Sequence, residues 1–61
     1  MSVKMQFTYG IRDKVSIKAI NTVGIVDGIS IDNYGPMFRV VYWNDGERNA
    51  VWVYEWELQT L

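Results

Sequence analysis

Apolar and polar positions alternate along most of the chain. Val3, Met5 and Phe7 are interleaved with Ser2, Lys4, Gln6 and Thr8, the period-two pattern of a strand with one buried face. Tyr9-Gly10 interrupts it. After Asp13 it returns, with Val15, Ile17 and Ala19 on one side and Ser16 and Lys18 on the other. Asn21-Thr22 predicts a turn. Residues 23–32 are rich in β-branched side chains and include Gly24 and Gly28; the glycines weigh against a helix and mark a bulge or bend within a strand. Asn33-Tyr34-Gly35-Pro36 reads as a loop. Residues 37–43 and 49–54 read as two further strands, joined by a hairpin at Asp45-Gly46, a step that favours positive φ. Glu55-Trp56-Glu57-Leu58 predicts one short 3-10 turn before a brief last strand. Nothing sustains a 3.6-residue apolar period for ten residues, so the pattern predicts an all-β fold of about five strands.

The same periodicity sorts the hairpin of residues 37–54 into two sides. With Phe38, Val40 and Tyr42 inward, Arg39, Val41 and Trp43 point outward; with Val51 and Val53 inward, Ala50, Trp52 and Tyr54 point outward. The turn at Asp45-Gly46 brings the two outward sets onto one face, an expected patch of Arg39, Val41, Trp43, Trp52 and Tyr54. A solvated strand face normally carries polar residues. Trp, Tyr and Arg are instead the residues that dominate binding hot spots, and burying one such aromatic contributes roughly 1.5–3 kcal/mol. The competing reading is that residues 3–7 lie over this face and make it part of the core.

Size and composition narrow the chemistry. Sixty-one residues make one domain, 1–61, and a chain this short buries only about 60% of its unfolded surface. It has no Cys and no His, so disulfides, Cys-based metal sites and the commonest general base are excluded. The acids Asp27, Asp32, Glu55 and Glu57 lack the clustered spacing of a hard-metal site. No nucleophile–base pair and no phosphate-cradling glycine loop is present. The expectation is therefore a protein that is not an enzyme, with no catalytic residue, no metal and no cofactor. The net charge of −1 disfavours nucleic acid as a partner; Arg12, Lys14 and Lys18 are the candidate contacts for it, diluted by Asp13 and Asp27. Apolar runs are far too short to span a membrane and the N-terminus has no long apolar leader segment, so a cytoplasmic location is expected.

The order of features resembles the small SH3-like barrels of the Tudor, KOW and related groups: Gly10, Asp13 and Val15, then Gly24-x-Val26-x-x-Ile29, then Phe38-x-Val40-x-Tyr42, then a strand and a closing Glu57-Leu58. Ile11 and Arg12 separate the glycine from the acid, where those barrels commonly have them adjacent. The layout is also similar to that of the type II plasmid dihydrofolate reductases, which carry Val-Gln-Ile-Tyr in their last long strand; here Val51-Trp52-Val53-Tyr54 stands in that place. The resemblance implies a small barrel and, in the reductase case, a pore shared between chains with Lys18 near its ligands. Trp52 in place of the glutamine has neither its acceptor nor its pair of donors, and it fills the space a pterin needs. Tudor-like barrels hold methylated side chains in aromatic cages, for which Tyr9, Tyr34, Trp43 and Trp56 are the candidates.

The function expected from these features is non-enzymatic protein binding through the aromatic face. Self-association, a dimer before larger assemblies, is expected alongside a foreign protein partner. Free-standing barrels of this length resemble accessory proteins of phages and mobile elements, some of which block a host enzyme or defence complex. In that case the location is the host cytoplasm. The alternatives are a Tudor- or KOW-like nucleic-acid module and a reductase-like oligomer.

Overall fold

The computed structural model describes residues 8–61; the alternating segment 3–7 lies outside the described residues. Five antiparallel strands, β1 (Lys14–Ile17), β2 (Thr22–Asp32), β3 (Gly35–Asn44), β4 (Glu47–Tyr54) and β5 (Leu58–Thr60), form one sheet in the order β4-β3-β2-β1-β5. A 3-10 turn, Glu55–Glu57, separates β4 from β5. The all-β class, the strand number and the late 3-10 turn are as the alternation predicts. Because β5 returns to β1 while β4 pairs only with β3, the described sheet is open, with β4 and β5 as its edges.

The core sits on one side of this sheet. Val26, Val40 and Val51 form one cross-strand row, and Ile29, Phe38 and Val53 the next. Val15 and Ile17 of β1 and Leu58 of β5 close over them. Phe38 is the largest fully buried side chain, and Tyr9 packs edge-on against it at 5.5 Å between ring centroids. That contact puts Tyr9 in the core and removes it from the candidate cage.

Local chemistry explains the turns. Asp45 and Gly46 both have positive φ, 51° and 79°, the conformation that lets a two-residue loop match the strand twist. The loop at 33–36 is tighter than expected. Asp32 pairs with Gly35 across a two-residue turn, the Tyr34 N–H donates to Asp32 Oδ1 at 2.7 Å, and Pro36 falls inside β3. Proline is tolerated there because β4 ends at the partner of Met37, so no strand needs its missing N–H. Ile11 and Arg12 form a closed turn: the Gly10 N–H donates to Asp13 Oδ2 at 2.8 Å, and the Asp13 N–H donates to the Gly10 carbonyl at 3.1 Å. Strand β1 stops at Ile17, so Ala19 lies in an exposed turn instead of continuing the buried row.

The two glycines of β2 differ in role. At Gly28 the β2–β3 register shifts, with Asp27 as the extra residue of a bulge. At Gly24 the neighbouring strand comes too close for a side chain: a Cβ would sit 2.5 Å from Val40 Cγ1 and 2.7 Å from the Val41 carbonyl oxygen. Gly24→Ala is therefore expected to lower stability by about 1–3 kcal/mol, as overpacking does. Gly10→Ala, whose Cβ would meet only Asp13 at 3.8 Å, should change it by about 0.5 kcal/mol or less. Urea unfolding of the two variants checks the difference, and equal midpoints would contradict the close approach.

Candidate protein-binding face

Once Phe38, Val40 and Val53 are inward, pairing places the alternate residues of β2, β3 and β4 together on the other side. Ile25, Val41 and Ala50 lie in one cross-strand row, with Lys14 of β1 beyond Ile25. Arg39 and Trp52 lie in another row, ending on Gly28. Trp43 is opposite Arg48.

The structure divides the five-residue patch expected from sequence into three parts. The first is a groove of about 180 Å³ lined by Lys14, Val23, Gly24, Ile25, Val41 and Trp43. Trp43 is 58% exposed and Val23 52%, so the walls are open to solvent. Val41 is only 5% exposed, which corrects the expectation that it protrudes. It is outward by parity, but Ile25 and Ala50 flank it in the row and it forms the floor. Val23, Ile25 and Lys14 were not in the expected patch, and the β2–β3 and β1–β2 registers put them there.

The second part centres on Trp52, 44% exposed. Its indole reaches across β3: a Cβ on Gly28 would lie 3.3 Å from Trp52 Cη2. A methyl group at 28 would press on the ring, which would have to give by a few tenths of an ångström. The Arg39 guanidinium lies 5.7 Å from the centroid of the indole, and Arg39 Nε donates to Asp27 Oδ1 at 2.7 Å. Arg48 adds a longer contact to Asp27, 3.6 Å. These charges are solvent-exposed, so each ion pair contributes about 0–1 kcal/mol and acts mainly to orient Arg39.

The third part is Tyr54, at the far end of β4 and half-buried. It stacks on Trp56 with ring centroids 4.5 Å apart and planes 7° from parallel, and Tyr34 meets it edge-on at 6.2 Å. Its hydroxyl donates to Asp32. The parallel stack leaves no gap for a cation between Tyr54 and Trp56, and Trp43 lines the separate groove. The four candidate cage residues are therefore not gathered into one site. Of the three candidate nucleic-acid contacts, only Lys14 borders the groove. Arg12 sits in the turn before β1, at φ 77°, and Lys18 in the turn after it.

A second hollow, about 290 Å³, opens on the core side where Ile17, Ala19 and Ile20 face Tyr42, Val51 and Val53. Trp52 and Glu57 also line it. No helix among the described residues is long and apolar enough to cross a membrane. Comparison with family models, curated proteins and solved structures finds no match to this chain.

The hydrogen bond to Asp32, with lesser contributions from desolvation and the charges of Asp32 and Glu57, holds the Tyr54 phenol above its ordinary value of 10.0. A raised value means that the neutral phenol stabilises the fold. That contribution is fully present below about pH 10 and is lost as pH rises through the folded-state value. Ultraviolet titration compared with that of Tyr54→Phe should assign a late-ionising phenol to Tyr54, and Asp32→Asn should lower its value. A titration unchanged by Asp32→Asn would contradict the contact.

Proposed function

We propose that this chain is a non-enzymatic protein-binding domain, and that it engages its partner through the outward face of β2, β3 and β4. The observation that carries the reading is the groove beneath Trp43: apolar walls open to solvent, a buried Val41 floor and a single cation, Lys14, at the rim. A sheet face with no binding role is normally polar, whereas interface cores combine exposed aromatics with few charges. The groove suits one large apolar side chain of the partner, with an acidic neighbour to meet Lys14. Trp52 and Arg39 extend the contact and arrive already oriented by Gly28 and Asp27, which lowers the entropy lost on binding.

The strand order, the bulge at Asp27-Gly28 and the 3-10 turn between β4 and β5 support reading the fold as a small SH3-like barrel. Fold alone does not assign a function, so the proposal rests on the face. Occupying this groove would block whatever surface the partner uses there, the mode of action of a small accessory inhibitor.

Trp43→Ala removes one groove wall without touching the core and should weaken partner binding by roughly 10- to 100-fold, the equivalent of burying one aromatic. Trp56→Ala, on the Tyr54 stack, should leave binding within about threefold, well inside the tenfold that 1.4 kcal/mol represents. Affinity capture followed by titration with wild type and both variants checks this. Equal loss in both variants, or none in Trp43→Ala, would place the interface elsewhere.

A further inference from the structure

Among the described residues strand β4 is an edge, and its backbone has a pattern of its own. Across the two-residue loop at Asp45-Gly46, Asn44 and Glu47 form the first hydrogen-bonded pair. Alternation then commits Asn49, Val51 and Val53 to β3 and leaves the N–H and C=O groups of Arg48, Ala50, Trp52 and Tyr54 pointing away from the sheet. The Tyr54 N–H is already taken, donating to Glu57 Oε2 at 3.0 Å. Among the described residues the donors left without a strand partner along this edge are therefore Arg48, Ala50 and Trp52, a set symmetric about Ala50. Natural edges are usually blunted by proline, lysine, a bulge or short length. Strand β4 carries charge only at its Glu47-Arg48 end and has no proline or bulge: its eight residues, Glu47–Tyr54, pair with β3 without a register shift. Edge β5 has three residues.

We propose that two copies of this chain pair antiparallel through β4 about a two-fold axis at Ala50, joining their sheets edge to edge. In this register Ala50 faces its own copy, so the smallest side chain of the strand lies on the axis. Arg48 stands opposite the partner's Trp52 in register, and since Arg48 leans back toward Asp27 and the Trp52 indole toward Gly28, neither side chain obstructs the edge. Hydrogen-bonded pairs at 48–52, 50–50 and 52–48 make about six backbone hydrogen bonds between the two edges. Neighbouring registers are worse. Centring on Val51 pairs Arg48 with the partner's Tyr54 and calls on its occupied N–H, and centring on Trp52 sets two indoles directly opposite and calls on the same N–H. The contact uses backbone groups, so it stands independently of the groove beneath Trp43. It turns two such grooves into one bivalent surface.

An interface of this size falls below the roughly 1,200 Å² of stable complexes, so a weak dimer is expected. Light scattering up to about millimolar concentration, where weak contacts of this size saturate, should show the mass rising from 7.1 kDa toward twice that value. The register is read by cross-linking, since the chain contains no cysteine. A hydrogen-bonded pair has Cα atoms about 5.5 Å apart, within disulfide range, so Ala50→Cys should form a disulfide dimer under mild oxidation. Arg48→Cys should not, because the two copies of residue 48 stand about 14 Å apart along the strands. Backbone N-methylation at Ala50 in a synthetic chain leaves the β3 ladder intact and should weaken the dimer at least tenfold, while Trp43→Ala should not affect it. A chain that stays monomeric, a dimer that cross-links through residue 48, or one indifferent to N-methylation would overturn the proposal.

Discussion

Phe38 must be buried, and the rest of the arrangement follows from that. It is the largest side chain with no exposure, it lies in the row between Ile29 and Val53, and Tyr9 closes on its ring. Truncating such a residue typically costs about 3–5 kcal/mol, comparable to the whole stability expected of a domain this size, about 0.05–0.15 kcal/mol per residue. A one-residue slip of β3 would expose Phe38 and bury Arg39, so the register has one acceptable setting. With Phe38 inward, Arg39, Val41 and Trp43 have no choice but the other face. The aromatic outer face is thus the geometric counterpart of the core, made from the same strands.

That coupling gives the two glycines of β2 their meaning. Gly24 allows β2 to close on β3 over Val40, and Gly28 allows Trp52 to lie across the sheet beside Arg39. The first glycine serves the core and the second serves the outer face. The bulge between them adds Asp27, and its carboxylate orients Arg39 and contacts Arg48. The outer face therefore combines residues held by packing, such as Val41, with residues held by exposed polar contacts, such as Arg39. A rigid floor with adjustable rims suits a surface that has to accept another protein.

Much of this was legible in the sequence because strand periodicity is short and the Asp45-Gly46 turn is specific. Inward and outward sets on β3 and β4 could be read from alternation alone. Alternation does not show which strands flank a row, however, and the larger differences arise there. Val41 is outward yet buried because Ile25 and Ala50 flank it; Ala50 follows from the Asp45-Gly46 hairpin, but Ile25 is not visible until the β2–β3 register is known. Lys14, Val23 and Ile25 entered the groove for the same reason. Tyr54 left the patch because Asp32, twenty-two positions away, holds its hydroxyl. The turn at Ile11-Arg12 depends on the Asp13 carboxylate reaching back to the Gly10 amide, a local bond that composition and periodicity do not report.

Trp43 and Trp52 face solvent while the opposite side of their strands forms the core. The most direct test is photochemically induced nuclear polarisation of the full chain at low concentration with a flavin dye, which enhances only aromatic rings the dye can touch. The account predicts enhanced signals from Trp43, Trp52, Trp56 and Tyr34, and a dark Tyr9 packed on Phe38. Dark indoles at 43 and 52 would mean that the chain covers this face itself, and would contradict the account.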